Sequence, residues 1–230
     1  MNSTVYDAFR CLNLLATANR PKGIREMGRE LELDSAKVTR LMQTLLALDM
    51  VQRDARRKYS LGIGIHRLSA QAIHNSAFYN AVMDLLEESG NHAISIVIGA
   101  LSGKNVVYLI HTRGGESIAR AIGNYQSFPV HDSVIGIKLL SAMSDEEIIA
   151  QIGINDYQLL RQDIDEARRH QVFAKDFGPG DYRLACNIPG MQAAIALSNI
   201  NSERMDTASL RLYLTAAARK ISGESLPVLS

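Results

Sequence analysis

The segment Gly23–Gly62 constrains the fold more than any other part of the chain. It contains two short stretches in which apolar residues recur at helical spacing. The first stretch is marked by Ile24, Met27 and Leu31, and the second by Val38, Leu41, Met42, Leu45, Leu46 and Leu48. Asp34 is a favourable N-cap residue, so a second helix is predicted to begin directly after it. Two short helices joined by a tight turn are typical of a helix-turn-helix.

The predicted second helix carries a polar face opposite its apolar stripe. Short hydrogen-bonding side chains and cations make up this face: Ser35, Lys37, Thr39, Arg40, Gln43 and Thr44. Such side chains reach phosphates and base edges in complexes with nucleic acids. In a helix-turn-helix, the first residues of the second helix are presented to the bases. We therefore expect this face, from Ser35 to Gln43, to contact DNA.

A hairpin is predicted directly after the second helix. Val51–Arg53 and Lys58–Leu61 have the composition of two short strands, and a turn rich in cations lies between them. Cations at a hairpin tip suit contact with phosphates. The residues expected to make such contacts are Arg53, Arg56, Arg57 and Lys58. A basic hairpin at this spacing is the wing of a winged helix-turn-helix.

An earlier helix completes the predicted DNA-binding domain. Within residues 4–18, helical spacing places Val5, Phe9, Leu12 and Leu15 on one face, which we expect to pack into a three-helix core. The winged helix-turn-helix is therefore predicted to span residues 1–62. A linker helix is expected over residues 63–76, and a second domain over residues 77–230.

Charge is divided unevenly between these regions. Residues 1–66 contain 11 Lys and Arg against 7 Asp and Glu, a net charge of +4, whereas the remainder has 14 cations and 17 anions, a net charge of −3. A basic first domain fits a nucleic-acid partner. The only cysteines, Cys11 and Cys186, are far apart, and no leader or membrane span is evident, so we expect a cytoplasmic protein without structural disulfides.

The second domain alternates predicted strands and helices, which indicates an α+β class. Strands are predicted at His92–Leu101, Asn105–Thr112, Ile118–Ile122, Gln171–Lys175, Arg183–Ile188 and Gln192–Asn199. Helices are predicted at residues 65–90, Asp132–Ala142, Asp145–Ile152, Ile164–His170 and residues 203–222. The helix expected near Asp132 would offer free backbone N–H groups at its start, which suit a carboxylate.

Four motifs together resemble those of the IclR family of bacterial transcriptional regulators. They are Leu33–Met42 in the recognition helix, Val51–Asp54 and Tyr59–Gly62 in the hairpin, and Pro129–Gly136 at the start of a helix in the second domain. The resemblance covers nearly the whole chain. Three departures accompany it. Glu32 stands where the family has a turn glycine, Ile137 where a lysine commonly follows the pocket glycine, and Leu184 where the family has a cysteine.

The resemblance implies a GAF-like α/β domain that binds a small metabolite and changes the affinity for an operator. A carboxylate or a sugar acid is the expected effector. The residues implied for this site are Ser133, Val134, Ile135, Gly136, Asp176, Cys186 and Ser198. Each of the last three also has a plainer interpretation, since Cys186 can be a small buried residue, Ser198 can end a strand and Asp176 can cap a turn. The family further implies a homodimer or tetramer, with dimer contacts around the first and linker helices.

An enzyme is the alternative interpretation, with Cys186 as a thiol nucleophile and His131 as its base. Against it, the sequence has no His-Glu-x-x-His or Cys-x-x-Cys spacing, no Gly-x-Ser-x-Gly elbow and no phosphate loop. We therefore expect neither catalysis nor a cofactor or metal. The expected partners are double-stranded DNA, a small-molecule effector and further copies of the chain, and no membrane.

Overall fold

In a computed structural model, the chain divides into two compact units, residues 1–76 and residues 77–230. The structure describes residues 2–89, 94–113, 118–122, 126–201 and 205–224. The predicted strand start at His92 and the predicted helix start at residue 203 lie outside these ranges. Each unit is described by itself below.

The first unit is a three-helix core followed by a hairpin and a fourth helix. Its elements are α1 (Ser3–Ala16), α2 (Ile24–Leu31), α3 (Ser35–Ala47), β1 (Val51–Arg53), β2 (Tyr59–Leu61) and α4 (Ile63–His74). The core is formed by fully buried residues of all three helices, among them Cys11, Met27, Val38 and Met42. Strands β1 and β2 pair antiparallel, with Gln52 opposite Ser60.

The turn between α2 and α3 is left-handed at Glu32, where φ is 55° and ψ is 41°. The backbone N–H of Leu33 then donates to the carbonyl oxygen of Gly28 at 2.8 Å, which closes the turn. A residue with a Cβ atom is strained in this conformation, and glycine is its usual occupant. Glu32, which stands where the IclR motif has glycine, therefore adopts an energetically unfavourable backbone conformation.

Helix α1 presents a different face to the core from the one we predicted. Val5 and Phe9 are 53% and 61% exposed, whereas Asp7, Cys11 and Leu15 are buried. The prediction counted apolar residues only, and an acidic residue can take a buried position when cations neutralise it. Here Asp7 is paired with two cations, so α1 is rotated relative to the expected orientation.

The second unit is a six-stranded antiparallel sheet with helices on both faces. Its strands are β3 (Ser95–Ser102), β4 (Asn105–His111), β5 (Gln126–Pro129), β6 (Val172–Asp176), β7 (Tyr182–Asn187) and β8 (Ala193–Ile200). Its helices are α5 (Ala77–Ser89), α6 (Ile118–Ala121), α7 (Val134–Leu140), α8 (Asp145–Ile152), α9 (Ile154–Arg169) and α10 (Thr207–Ser222), with a 3-10 turn at Val130–Asp132. The strand order is β5-β4-β3-β8-β7-β6.

Two hydrophobic clusters lie on opposite faces of this sheet. One packs against α5 and α10 and includes Ile98, Leu184 and Ile195. The other packs against α7, α8 and α9 and includes Phe173 and Ala196. Successive residues of a strand point to opposite faces, so each central strand contributes alternately to the two clusters. The mixed α+β class predicted from the sequence is thereby confirmed.

Several predicted elements of the second unit differ in the structure. The predicted strand Ile118–Ile122 is the short helix α6, because a five-residue apolar run does not distinguish helix from strand. Strand β5 was not predicted. The helix expected over Asp132–Ala142 is divided by Ser133 into the 3-10 turn and α7, and residues 65–90 form two helices because α4 ends at His74.

A buried lysine joins α7 to α9. The Nζ atom of Lys138 donates to the carbonyl oxygens of Ala167 and His170 at 2.6 and 2.7 Å. These carbonyls lie at the C-terminal end of α9, where helical acceptors lack intrahelical partners. Burial lowers the pKa of Lys138. The contact fixes α7, and with it the segment that borders the cavity described below.

Candidate DNA-binding face and effector cavity

The N-terminal end of α3 is held by a side-chain cap. Oδ2 of Asp34 accepts from the backbone N–H groups of Ala36 and Lys37 at 3.0 and 3.2 Å, as the sequence predicts. Ser35, Arg40 and Gln43 are exposed on this helix. Thr39 is half-buried, and its hydroxyl donates to the carbonyl oxygen of Ser35 at 2.7 Å. Most of the predicted polar face is therefore exposed, and the charge of one of its residues is bound within the unit.

Lys37 is the residue whose charge has a partner within the unit. Its Nζ atom lies 2.5 Å from Oδ2 of Asp7 on α1. The lysine side chain is 31% exposed and the aspartate side chain is 7% exposed. The charge of Lys37 is thus directed into its own unit rather than outward with the rest of the polar face.

The wing, residues 51–61, is a tight hairpin with an exposed cationic tip. Oδ1 of Asp54 accepts from the backbone N–H of Lys58 at 2.8 Å, and Arg57 is left-handed with a φ of 59°. Arg53, Arg56 and Arg57 are exposed and Lys58 is half-buried. Within the ranges that the structure describes, no carboxylate pairs with these four cations or with Arg40.

The backbone of the wing is tied to the rest of the unit. Tyr59 and Lys22 exchange two backbone hydrogen bonds, at 2.8 and 2.9 Å, and the Tyr59 ring is buried. The guanidinium carbon of Arg53 lies 5.6 Å from the centre of that ring. A cation within about 6 Å of an aromatic face is attracted to it. The wing therefore has a fixed base and exposed cations.

The second unit contains a cavity of about 730 Å3 on the α7 face of its sheet. Side chains from five strands, the 3-10 turn and the first residue of α7 line it: Val97, Tyr108, His111, Arg113, Phe128, Asp132, Val134, Asp181, Arg183, Ala196, Ser198 and Asn199. Cavities of this size with a few convergent polar groups hold small molecules. Two of the lining residues are arginines, which can bind carboxylates with two parallel hydrogen bonds.

Arg183 is paired within the cavity wall. Its Nε and Nη2 atoms donate to the two carboxylate oxygens of Asp181 at 2.7 and 2.6 Å. Its Nη1 atom donates to the carbonyl oxygen of Asp132 at 3.3 Å, and the guanidinium lies 4.1 Å from the centre of the Phe177 ring. These hydrogen bonds to Asp181 raise the pKa of Arg183. Arg113, by contrast, is exposed and has no described carboxylate beside it.

An aromatic group completes the wall. The Tyr108 ring lies 4.9 Å from Phe128 and 5.5 Å from His111, measured between ring centres. Nδ1 of His111 is 2.6 Å from Oε1 of Gln126, within hydrogen-bond distance. The Tyr108 hydroxyl is 3.3 Å from Oγ of Ser133. The wall thus offers flat apolar surface as well as hydrogen-bonding groups.

One of the three predicted amides at the start of α7 is hydrogen-bonded within the protein. Oγ of the buried Ser133 accepts from the backbone N–H of Gly136 at 3.4 Å. Val134 borders the cavity, but Ile135 is buried in the α7 cluster. A Cβ atom on Gly136 would lie 2.7 Å from the carbonyl oxygen of Val130, so this glycine serves close packing. A carboxylate held by the amides of Val134 and Ile135 stays a prediction.

Only one of the three strand residues implied by the resemblance lines the cavity. Ser198 does. Cys186 is buried on the opposite face of the sheet, in the cluster with α5 and α10, and Leu184 lies on that same face. Asp176 is exposed, and its Oδ1 accepts from the backbone N–H of Gly178 at 2.8 Å, so it caps a turn. The plainer interpretations of Cys186 and Asp176 fit these positions.

Cys186 is also poorly suited to nucleophilic chemistry. Burial raises the pKa of its thiol, and the thiolate is the reactive form. Its Sγ atom donates to the carbonyl oxygen of Asn187 at 3.5 Å. Over the described ranges, no three His, Cys, Asp or Glu residues are grouped so as to hold a metal ion. No described helix has the length and apolar character that a membrane crossing requires.

The sequence analysis missed Tyr108, Arg113, Asp181 and Arg183 as cavity residues. One signal for Arg183 was available, because a cation that lies between Tyr182 and Leu184 in a strand has to meet a partner or a cavity. No comparable signal marked Tyr108 or Arg113. The placement of Tyr108 depends on the pairing of β4 with β5, a strand that we did not predict.

Comparison with known proteins supports both halves of this description. Residues 8–55 match the family model described as the IclR helix-turn-helix domain. A comparison with curated proteins gives no match. Among solved structures, a protein from Silicibacter sp. TM1040 assigned to the ICLR transcriptional regulators has a TM-score of 0.76 and 21% identity, with 98% of each chain covered.

Two further structures have the same fold over nearly their whole length. An IclR family transcriptional regulator from Brucella abortus has a TM-score of 0.74 and 20% identity, covering 97% of this chain and 92% of its own. An IclR homolog from Microbacterium hydrocarbonoxydans, complexed with 4-hydroxybenzoate, has a TM-score of 0.63 and 19% identity, covering 96% and 98%. Residues 8–55 are therefore an IclR helix-turn-helix domain, and the chain as a whole has the fold of IclR transcriptional regulators, which confirms the resemblance.

Proposed function

We propose that this protein is a transcriptional regulator that binds an operator through α3 and the wing, and whose affinity for that operator depends on a small acid bound in the second unit. One observation carries the DNA-binding part. The surface formed by α3 and the wing carries exposed cations that no described carboxylate neutralises: Arg40, Arg53, Arg56 and Arg57. Uncompensated surface cations are what a polyanion requires.

The contacts that we propose with DNA divide into two kinds. Ser35, Thr39, Arg40 and Gln43 would reach base edges and nearby phosphates from the major groove, and Arg53, Arg56, Arg57 and Lys58 would bind the phosphates beside it. Phosphate contacts fix the position of the protein, and base contacts select the sequence. A role on chromosomal DNA would place the protein in the cytoplasm.

The proposed effector is a small carboxylate, preferably one with a flat apolar body. Arg113 supports the charge assignment, since it lines the cavity without a described counter-ion. Tyr108 and Phe128 support the apolar part. The Microbacterium homolog, which shares the fold, is complexed with 4-hydroxybenzoate, an aromatic acid of this kind. In this proposal Ser198 and Asn199 supply hydrogen bonds to polar substituents.

A homodimer is part of the proposal. Val5 and Phe9 on α1 are more than half exposed, and so are Ile63 and Leu68 on α4, at 69% and 54%. Apolar side chains grouped on exposed helix faces mark interaction surfaces. A pair of winged domains also reads two half-sites, from which such proteins gain specificity. The effector would then favour one of two arrangements of that pair.

The DNA-binding part is tested with the full chain and duplexes selected from a random library. We expect Arg40→Gln to weaken binding at a fixed salt concentration and to make binding less dependent on salt. Arg169→Gln, on exposed α9 surface of the second unit, is the matched control and should bind like the parent. Equal binding by all three proteins would contradict the assignment of α3.

The effector part is tested by thermal unfolding with benzoate, 4-hydroxybenzoate, acetate and gluconate. A ligand that binds only the folded protein raises its Tm, by an amount that grows with ligand concentration. We expect at least one aromatic acid to do so, and Arg113→Gln to remove the shift while Arg169→Gln keeps it. If no acid of the panel shifts the Tm, the proposed carboxylate class is wrong.

A further inference from the structure

The first unit, which has a net positive charge, contains a buried acidic residue. Asp7 on α1 is 5% exposed, and both of its carboxylate oxygens are occupied. Oδ1 accepts from Nη1 of Arg10 at 3.1 Å, and Oδ2 lies 2.5 Å from Nζ of Lys37 in the first turn of α3. The hydrogen bond from Lys37 is the main reason that the pKa of Asp7 is lowered, so this carboxylate is charged at neutral pH.

The same group of charges reaches all three helices of the core. Arg10, besides holding Asp7, donates from Nη2 to the carbonyl oxygen of Leu31 at 2.7 Å. Leu31 is the last residue of α2 and directly precedes the left-handed Glu32. The cluster Arg10–Asp7–Lys37 therefore joins α1 to the end of α2 and to the beginning of α3, on either side of the turn that orients the recognition helix.

We propose that Asp7 is an internal counter-ion that withdraws Lys37 from DNA and positions the first turns of α3 on α1. This inference rests on the proposed binding of DNA by α3, and it differs from the sequence-based expectation, in which Lys37 contacts DNA with its neighbours. Asp7 is thus a positioning residue, since it acts on the recognition helix through Lys37 and does not itself touch the operator.

Electrostatics explains why Lys37 stays with Asp7 when DNA is present. If Lys37 moved to a phosphate, it would leave a buried carboxylate with one partner fewer, close to a polyanion. A buried charge that loses its partner is unfavourable by more than a surface ion pair gains. Arg40 has no such internal partner among the described residues, so binding a phosphate leaves no charge behind.

The salt dependence of DNA binding tests this proposal, because it counts phosphates neutralised by the protein. Each lost contact changes the slope of log K against log salt by about 0.9. We expect Lys37→Gln to leave this slope unchanged, while Arg40→Gln reduces it by about 0.9 per protomer. A structural defect would lower the affinity without changing the slope. The slope therefore distinguishes the loss of a phosphate contact from a structural defect.

The reciprocal variant releases the lysine. Asp7→Asn keeps the shape of the side chain and removes its charge, so Lys37 becomes available to a phosphate, and we expect the slope to increase by about 0.9 per protomer. Adding Lys37→Gln to Asp7→Asn should restore the parental slope. Asp49→Asn, an exposed left-handed position beyond the end of α3, makes the same change in net charge and should leave the slope near the parental value.

Two outcomes decide between the proposals. If Lys37→Gln reduces the slope as Arg40→Gln does, Lys37 contacts a phosphate and the counter-ion role of Asp7 is overturned, while DNA binding by α3 stands. If the parent protein shows no salt-dependent binding to duplex DNA, both proposals fail together. Should Asp7→Asn not fold, the comparison of Lys37→Gln with Arg40→Gln decides alone, because both side chains are at least partly exposed.

Discussion

In residues 1–76, Arg40 and the wing arginines point outward with no described carboxylate beside them, whereas in residues 77–230 the cavity residue Arg183 is held by both oxygens of Asp181. The difference follows from the partners that we propose. A duplex offers many phosphates, so a protein binds it with several uncompensated cations on its surface. A small acid offers only one or two charges, so one cation without a described counter-ion, such as Arg113, is enough to receive it, and a second, more buried cation needs a partner of its own.

Lys37 lies in the first unit, but it resembles the paired Arg183 of the second unit rather than the unpaired arginines of the first. Like Arg183, it is paired with an aspartate of its own unit. What distinguishes the cations that we expect to bind a ligand is therefore the lack of a carboxylate partner among the described residues of the protein, and not the unit in which they lie.

Removal of the wing charges should have the largest effect. With two cations lost from each protomer of a dimer, Arg56→Gln with Arg57→Gln is expected to reduce the salt slope by about 3.6 and to weaken binding by orders of magnitude. The measurement is fluorescence anisotropy over a series of salt concentrations. Replacing Lys104 and Arg169 of the second unit by glutamine is the control, and equal loss in both proteins would show that net charge alone sets the affinity.

Gly136→Ala should lower the free energy of unfolding of the second unit and leave that of the first unit unchanged. The new Cβ atom would lie 2.7 Å from the carbonyl oxygen of Val130, and overpacking of this kind costs about 1–3 kcal/mol. Urea unfolding followed by amide hydrogen exchange measures the effect in each unit. Gly23→Ala, where no atom lies within 4 Å of the new Cβ, is the control. Unchanged exchange in α7 would contradict the packing role of Gly136.

Neutralising Asp181 should increase the affinity for the acid found in the thermal panel. Asp181→Asn frees Arg183 to make a charge-assisted hydrogen bond with the ligand, which is expected to strengthen binding about tenfold, or about 1.4 kcal/mol. Isothermal titration measures the change. Asp163→Asn, which unpairs Lys175 outside the cavity, makes the same charge change and should leave the affinity unaltered. A loss of affinity in Asp181→Asn would mean that Asp181 itself binds the ligand.

The smallest expected effect concerns acid stability of the first unit. Arg20 and then Lys22 lower the pKa of Glu26 from 4.5 to about 2. Because the pKa is lower in the folded than in the unfolded state, the ion pairs stabilise the fold above pH 4.5, and this contribution is lost as the pH falls from 4.5 to about 2. Glu26→Gln should therefore narrow the difference in Tm between pH 6 and pH 3, and an unchanged difference would exclude this role.

The sequence predicted the DNA-binding half better than the cavity, and the reason is physical. In the segment Gly23–Gly62 every element is recognised from neighbours in the chain, by helical spacing, the Asp34 cap or turn residues. The cavity instead depends on strands far apart in the chain. Arg183 meets Asp132 across 51 positions, and the sequence around Arg183 indicates that it needs a partner but not which residue that partner is.

The orientation of α1 shows where local patterns fail even in the first unit. Counting apolar residues on α1 pointed Val5 and Phe9 inward, because the count could not know that Asp7 finds two cations in the core. The contact of Lys37 with DNA stays a prediction, and the counter-ion role that we propose for Asp7 would overturn it. A pattern that treats every charged residue as solvent-facing cannot show the ion pair between Asp7 and Lys37.

Strand β8 separates the wall of the cavity from the opposite hydrophobic cluster. Ala196 lines the cavity on the α7 face, whereas its neighbours Ile195 and Leu197 fill the cluster on the α10 face. A larger or more polar residue at position 196 would therefore reshape the wall of the cavity and leave the opposite cluster in place. In the function that we propose, single substitutions on one face of this strand would exchange one bound acid for another, while the other face keeps the protein folded.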